Sequence, residues 1–369
     1  MVPPSAAGRK QAPAPYKMGR ILKEGGTLTD SASPLPVRLF CTVPQSSDFE
    51  SGREFIERVG TVSRWCEQAG FEGILIYASN RFVDPWMVAQ RMLESTERLS
   101  PFVAVQPISM HPYTVAKMVT SLGFAYGRRI YLNMIAGGFK NELQALGDDT
   151  PHDERYDRLV EYTEVFHRLL ATHGPVHYDG KYYKIDGVSL APELPASLLP
   201  GICVSGSSEA GMAAAKRLNA TAIEVPRSSG DFDTPGELRD EAGIRIGIVA
   251  RQEDDQAWEL AYRRFPEDRK GEMIQKMADK TSDGKWYNQI TANEDEEGGP
   301  GKSPYWLRPF RTFKSFVPYL VGGHEQVSDS LARYIRAGFK MYVIDMPAEE
   351  EDVVNAGAVF RQAAAKAGL

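Results

Sequence analysis

The sequence lacks the features that would indicate a membrane protein or a disulfide-stabilised secreted domain. It has no run of about 18 apolar residues, so a membrane-spanning helix is not expected. Among 369 residues there are only 3 cysteines, Cys41, Cys66 and Cys203. They are widely separated in sequence and show neither a Cys-x-x-Cys motif nor the Cys/His spacing of a zinc site. We therefore expect each thiol to pack as a small apolar group in a reducing compartment, and we predict a cytoplasmic protein.

Clustered positive charge is also missing. The formal net charge is −6, and no Lys/Arg cluster is interleaved with aromatic residues, which argues against a nucleic-acid partner. The 6 histidines show no metal-ligand spacing, so no metal site is expected. The G-x-S-x-G motif of serine hydrolases is absent as well. With 42% apolar and 25% charged residues, the composition is that of a soluble globular protein without a membrane partner.

The first residues differ from the rest of the chain. The stretch MVPPSAAGRKQAPAPY is rich in proline and alanine and has no apolar core of the kind that an export signal needs. We predict a flexible N-terminal extension over residues 1–36, followed by a single domain over residues 37–369.

Within that domain, buried-type strands alternate with helical segments. The strand candidates are 37–43, 73–77, 99–106, 130–133, 202–204, 221–225, 243–250 and 341–344. Such alternation is typical of a parallel α/β protein, and eight strands are the number that closes a barrel. The alternative is an open doubly wound sheet, but its glycine fingerprint is absent after the first strand. The sequence therefore predicts a TIM-type (β/α)8 barrel.

Two segments exceed what a minimal barrel needs. The first, at about 174–200, contains Asp179-Gly180, which is a strong hairpin signal. The second, at about 266–319, precedes the eighth strand and includes TSDGKWYNQITANEDEEGGPGKSP. Long insertions inside a compact domain are usually functional, so we predict that this one is a lid.

Barrel enzymes of this type place their sites at the carboxyl ends of the strands. The polar residues there are Gln106, Asn133, Ser205 to Ser208, Glu224 and Asp345. The turn Ser205-Gly206-Ser207-Ser208 exposes backbone N–H groups at a helix start, where a phosphate is favoured. An ordinary helix N-cap is the alternative interpretation of the same turn.

Arg245 is a lone charge in the apolar strand GIRIGIV. If it faces outward, it is a solvated surface residue. If it faces the barrel mouth, it needs an anionic partner. The sequence leaves both orientations open.

Three motifs, taken with the barrel order, carry a resemblance to a known family. They are NxxxGG from Asn133 to Gly138, HDERYDRLVEYTEVF from His152, and SGSSEAG from Ser205. Together they resemble the bacterial-luciferase-like flavin-dependent monooxygenases, closest to the alkanesulfonate monooxygenase branch. The resemblance covers nearly the whole chain from about Val37 onward.

The resemblance implies a two-component enzyme. Reduced FMN would be supplied by a separate NAD(P)H-dependent flavin reductase, and O2 would be the co-substrate for a flavin peroxide that oxidises a small organic molecule. The isoalloxazine ring would lie near Ala78, Gln106 and Asn133. The phosphate would be bound by Tyr156 together with Ser205, Gly206, Ser207 and Ser208. A homodimer or homotetramer is usual in the family.

The chain also departs from the alkanesulfonate enzymes at positions that are polar in them. Apolar residues stand there instead, namely Phe82, Val225 and Met346. A pocket lined by them would suit a larger or more apolar substrate than a simple alkanesulfonate. Arg245 is retained, and we expect it to bind an anionic group of the substrate or to orient the peroxide. His111 is a candidate proton donor, with helix capping as the alternative.

Two rival functions stay open at this point. One is a deazaflavin-dependent oxidoreductase of the same superfamily, since phosphate binding alone does not distinguish it from an FMN enzyme. The other is a non-catalytic flavin-binding homologue, because several polar positions are apolar here.

Overall fold

The computed structural model describes residues 35, 37–138, 140–232, 242–281, 290, 298–345 and 347–369. Almost all of the predicted N-terminal extension therefore lies outside the described residues. The strands are β1 Arg38–Thr42, β2 Gly73–Ile76, β3 Ser100–Val105, β4 Tyr131–Met134, β5 Val176–Asp179, β6 Lys184–Val188, β7 Gly201–Ser205, β8 Thr221–Glu224, β9 Ala242–Arg251, β10 Tyr305–Trp306, β11 Tyr319–Gly323 and β12 Phe339–Ile344. The α-helices are α1 Gly52–Gln68, α2 Pro85–Ser95, α3 Pro112–Tyr126, α4 Lys140–Ala145, α5 His152–Ala171, α6 Glu209–Arg217, α7 Asp254–Arg264, α8 Arg269–Thr281, α9 Arg308–Arg311, α10 His324–Arg336 and α11 Glu350–Ala367.

The central element is a closed parallel barrel. Its strands follow the order β12-β1-β2-β3-β4-β7-β8-β9, and β9 pairs with both β8 and β12, which closes the ring. Each of the eight sequence-predicted strands lies in this ring. The prediction of a TIM-type (β/α)8 barrel is confirmed. None of the helices in the described part of the chain is long and apolar enough to cross a membrane.

Side chains alternate between the inside and the outside of the barrel, because successive residues of a strand face opposite sides. The inner layer is a separate apolar cluster formed by Phe40, Leu75, Phe102, Tyr131, Cys203, Ile223, Met341 and Val343. Four of these strands continue inward two residues later, at their carboxyl ends. The residues at those positions are Tyr77, Asn133, Ser205 and Asp345. The barrel interior therefore consists of a packed apolar core and, at the carboxyl ends of the strands, a polar layer that forms the barrel mouth.

The cysteines are buried, as predicted. Cys41 on β1 and Cys66 on α1 are 1% and 0% exposed, and their sulfur atoms lie 3.0 Å apart. Burial raises the pKa of the Cys41 thiol well above its usual value. Because the thiolate is the reactive form, this thiol behaves as a packing group at neutral pH.

The first insertion forms the expected hairpin. Strands β5 and β6 pair in antiparallel fashion, with Asp179 opposite Lys184. The carboxylate of Glu161 on α5 accepts hydrogen bonds from the backbone N–H groups of Lys181, Tyr182 and Tyr183 at 3.0, 2.8 and 2.8 Å. A single buried side chain thus fixes the hairpin loop against the barrel.

The second insertion contains regular structure. Helix α8 and the short strand β10 lie within it, and β11 follows directly. Strand β11 runs parallel to the far half of β9, with Tyr319 opposite Gly247 and Gly323 opposite Arg251. Residues 282–289 and 291–297 of this insertion lie outside the described residues. The insertion therefore extends the sheet beyond the barrel at its carboxyl end.

Candidate active site

A buried ion pair lies at the carboxyl end of the barrel. The Arg245 Nη2 atom donates hydrogen bonds to Asp345 Oδ1 at 3.0 Å and to the Tyr77 hydroxyl at 2.7 Å. The two charged side chains are only 17% and 11% exposed. Of the two orientations left open by the sequence, the structure shows the inward one, with an anionic partner. The guanidinium and the carboxylate neutralise each other in this arrangement.

Asp345 also connects the barrel to the second insertion. Its Oδ2 atom accepts hydrogen bonds from Ser315 Oγ at 2.7 Å and from the Tyr319 hydroxyl at 3.0 Å. Burial raises the pKa values of Tyr77 and Tyr319 above the ordinary phenol value, and the nearby Asp345 carboxylate adds to this effect. Both phenols are therefore neutral hydrogen-bond donors at neutral pH.

Arg245 keeps unused hydrogen-bonding capacity. Burial works against its charge, but the neighbouring Tyr77 and Asp345 outweigh it and raise the pKa of the guanidinium. Its Nε atom is buried and has no hydrogen-bond partner among the residues that the structure describes. A buried donor without an acceptor is costly, so this atom is suited to a ligand group at the barrel mouth.

The turn between β7 and α6 brings the predicted phosphate residues together. Ser205 Oγ donates to Asn133 Oδ1 at 2.8 Å, and Ser208 caps α6 by accepting from the Gly211 N–H at 3.1 Å. A Cβ atom at position 206 would collide with the Tyr156 hydroxyl, so glycine is needed there. The capping interpretation therefore holds for Ser208, and the turn packs directly against Tyr156.

Ser207 is the one hydroxyl of this turn that is left over. Its Oγ atom is buried and makes no hydrogen bond within the described structure. It lies at the N-terminus of α6, where unpaired N–H groups and the helix dipole favour an anion. Burial raises the pKa of the neighbouring Tyr156, against the opposing effect of Ser208 and Arg155, so that phenol is a neutral donor. The donor set fits a phosphate group.

The start of α5, which carries Tyr156, is anchored by Asp148. This carboxylate accepts a hydrogen bond from the Thr150 N–H at 3.1 Å and pairs with Arg158, and its side chain is 4% exposed. Burial alone would raise the pKa of Asp148. The hydrogen bonds from Arg158 and Thr150 outweigh burial and lower the pKa to about 2.

This depressed pKa predicts a pH-dependent stability. Asp148→Asn should lower the free energy of unfolding by about 2 kcal/mol at pH 7, because Arg158 and Thr150 stabilise the carboxylate only in the folded state. The difference from the unsubstituted protein should shrink as the pH falls from about 4 to about 2, where the native carboxylate is protonated too. Urea unfolding across this range tests it, with the exposed neighbour Asp149→Asn as control. A difference that does not change with pH would contradict this account.

The residues predicted to lie near the flavin ring are Asn133, Gln106 and Ala78, and each is at or just after the carboxyl end of a barrel strand. Asn133 ends β4 and is 5% exposed. Gln106 follows β3, and a Cβ atom at Gly137 would come within 2.8 Å of its Nε2 atom. Gly137 also has a φ of 98°, which only glycine adopts readily. Gly137 thus allows the loop after β4 to approach Gln106. Ala78 directly follows Tyr77.

Of the three predicted pocket residues, the structure describes Phe82 and Val225. The ring centroid of Phe82 lies 6.1 Å from that of Tyr77. Val225 follows β8, is partly buried and packs against the core. Met346 lies outside the described residues.

His111 is the N-cap of α3, and its Nδ1 atom accepts a hydrogen bond from the Tyr113 N–H at 3.2 Å. The capping alternative for His111 is therefore what the structure displays, and its role as a proton donor stays a prediction.

Three residues of the ion-pair cluster were not singled out from the sequence as site residues: Tyr77, Ser315 and Tyr319. Tyr77 could have been found, because it has the same strand parity as the inner-layer Leu75 and ends its strand. Ser315 and Tyr319 lie near the end of the second insertion and at β11. No periodic pattern in that segment marks either of them as a partner of Asp345.

Comparison with known proteins identifies the family of this chain. The family model for luciferase-like monooxygenases matches residues 35–223, which is more than half of the chain. One relative is 30% identical over 336 residues, covering 86% of this chain and 95% of its own. It is 4-(gamma-L-glutamylamino)butanoyl-(BtrI acyl-carrier protein) monooxygenase BtrO from Niallia circulans.

Solved structures share the fold at lower sequence identity. The oxygenating constituent of 3,6-diketocamphane monooxygenase of Pseudomonas putida, solved with FMN, gives a TM-score of 0.65 at 14% identity, over 89% of this chain and 96% of that one. The coenzyme F420-dependent tetrahydromethanopterin reductase of Methanopyrus kandleri gives 0.61 at 15% identity, over 88% and 98%. The family match and the BtrO relative decide the assignment: this chain belongs to the luciferase-like monooxygenase family and is a flavin-dependent monooxygenase.

Proposed function

We propose that this chain is the oxygenating component of a two-component system that uses reduced FMN and O2. The observation that carries the proposal is the buried Ser207 hydroxyl, which makes no hydrogen bond to any described residue and directly precedes the N-cap of α6. The adjacent Gly206 packs against the Tyr156 hydroxyl. A flavin phosphate would satisfy the Ser207 hydroxyl and the unpaired N–H groups of the helix start. The reduced cofactor would come from a separate NAD(P)H-dependent flavin reductase, in keeping with the relative from Pseudomonas putida, whose description names it the oxygenating constituent.

Bound reduced FMN would supply the two electrons that reduce O2, so that one oxygen atom enters the substrate and the other leaves as water. The protein's own residues bind and orient. Ser207, Tyr156 and the α6 N-terminus hold the phosphate, and Asn133 and Gln106 lie where the ring would be. The Arg245–Asp345 pair with Tyr77 would fix the polar end of the substrate beside the reacting centre.

We propose an acyl group carried on a protein as the substrate, and not a simple alkanesulfonate. Since Arg245 is already neutralised by Asp345, a free anion would have to compete with a carboxylate 3.0 Å away. Phe82 and Val225 provide apolar surface where a sulfonate would need donors. An acyl thioester, which carries no charge at the thioester itself, suits such a pocket, and the BtrO relative is described as acting on an acyl-carrier-protein substrate.

The cofactor can be tested directly. Anaerobic titration with reduced FMN and, in parallel, with a reduced deazaflavin should show tighter binding of FMN. On mixing with O2, the bound FMN should reoxidise with kinetics different from those of free reduced FMN. Preference for the deazaflavin would favour the F420-dependent branch of this fold, and no binding of either would favour a non-catalytic homologue.

The same proposal includes assembly and location. We propose a homodimer or homotetramer, in which exposed apolar residues such as Met87 on α2, 66% exposed, contact a second copy. Light scattering that shows a monomer at micromolar concentration would contradict this. The free, buried state of all three cysteines supports the proposed cytoplasmic location.

A further inference from the structure

Helix α8 in the second insertion carries long apolar side chains on its solvent-exposed side, whereas a helix that packs on a core buries them. Met273, Ile274 and Met277 are 67%, 39% and 68% exposed. Among residues 269–277, the part of α8 whose side chains the structure describes, those that face the protein are Gly271 and Gln275, and Gln275 is only 4% exposed. Amphipathic surface helices normally show the reverse arrangement. An exposed cluster of long apolar side chains of this kind indicates a binding surface.

Basic residues lie on the same face. At 100° per residue, Arg269, Lys270 and Lys276 all fall within about 60° of Met273 around the helix axis. All three are exposed, and Glu272 and Ile274 lie at the two borders of this face, each about 100° from Met273. We call the five residues Arg269, Lys270, Met273, Lys276 and Met277 the α8 face. It combines positive charge with flexible apolar side chains, and methionine adapts readily to a partner's surface.

The α8 face lies close to the mouth of the candidate active site. A Cβ atom at Gly271 would collide with the backbone carbonyl oxygen of Thr312, so α8 rests directly on that segment. The Asp268 carboxylate just before α8 pairs with Lys314 at 3.2 Å. The next residue along, Ser315, donates to Asp345 at 2.7 Å. The helix and the buried ion pair are thus joined through one short stretch of chain.

We propose that the α8 face is the docking surface for an acidic carrier protein, which presents the substrate as a thioester on a phosphopantetheine arm. This inference rests on the proposed function. Positive charge around an apolar centre complements an acidic protein that has its own exposed apolar residues, and it steers the encounter. The long arm explains how a folded partner outside the barrel delivers a small reacting group to a buried site beside Arg245.

The test uses BtrI, the acyl-carrier protein named for the BtrO relative, loaded with the 4-(gamma-L-glutamylamino)butanoyl thioester and, in parallel, the same acyl group on a short free thiol. Lys270→Glu and Met273→Glu should each raise KM for the carrier-bound substrate at least about 10-fold, by charge repulsion and lost apolar contact. Neither should change KM for the short thioester or the affinity for reduced FMN. Added salt should weaken carrier binding to the unsubstituted protein more than to Lys270→Glu.

Phe124→Glu is the matched control. Phe124 is 71% exposed and lies near the end of α3, at the opposite end of the barrel, so its substitution should leave carrier binding unchanged. Equal KM values for the carrier-bound substrate in all variants would overturn the docking proposal. So would binding of the α8 face to anionic vesicles with no binding of the carrier. Absence of reduced-FMN binding would instead overturn the proposed function, so the two failures are distinguishable.

Discussion

Replacing Arg245 by methionine is expected to lower kcat/KM about 100-fold or more, equivalent to about 2.7 kcal/mol of transition-state stabilisation. The affinity for reduced FMN should change little, since the proposed phosphate site is formed by other residues. Methionine retains much of the length of the side chain but removes the donors to Tyr77 and Asp345. The substrate would then meet an uncompensated carboxylate at the barrel mouth. Steady-state kinetics with reduced FMN held saturating measures the effect.

Because a destabilised fold would also lower activity, the free energy of unfolding of each variant must be measured together with its kinetics. Removing one partner of a buried pair costs about 3–5 kcal/mol because the other charge is left buried. The double variant Arg245→Met with Asp345→Leu removes both charges and should regain part of that stability. It should not regain turnover. If the double variant turned over substrate as the unsubstituted protein does, the pair would have only a structural role, and our interpretation of the site would be wrong.

The fold could be predicted because its strands are buried on both sides. Parallel barrel strands appear in sequence as continuous apolar runs, and all eight were recognisable as such. The orientation of Arg245 was recoverable in principle from strand parity. Gly243 and Gly247 share its parity, and small residues on that face leave room inside a crowded barrel. The partner could not be found in this way, because Asp345 lies 100 residues further along the chain.

The site could be predicted only where local sequence determines local structure. The Ser205 to Ser208 turn and Tyr156 come from motifs whose geometry is set within a few residues. Ser315 and Tyr319 reach Asp345 because β11 adds to the far half of β9, a long-range pairing that no period in the sequence encodes. The second insertion was predicted as a lid. Its described residues contact the barrel mouth through Ser315 and Tyr319, and closure over the cofactor stays a prediction.

Ser207→Glu is expected to raise the dissociation constant of reduced FMN about 1000-fold. A carboxylate at this position would lie where we place the flavin phosphate, and two like charges about 4 Å apart repel by about 4 kcal/mol at an effective dielectric constant of about 20. Ser207→Ala should cost only about 1 kcal/mol, because it removes a single hydrogen bond without adding charge. Fluorescence titration under anaerobic conditions gives both constants.

Riboflavin, which lacks the phosphate, separates charge repulsion from general damage to the site. Its affinity should fall far less than that of FMN in Ser207→Glu, since only the extra side-chain volume opposes it. Ser121→Glu, an exposed position on α3, adds the same charge away from the turn and should leave both affinities unchanged. If FMN and riboflavin were weakened equally, the phosphate would not lie at the α6 N-terminus. The Ser207 hydroxyl, which has no partner among the described residues, would then need another ligand, because a buried donor without an acceptor destabilises the fold.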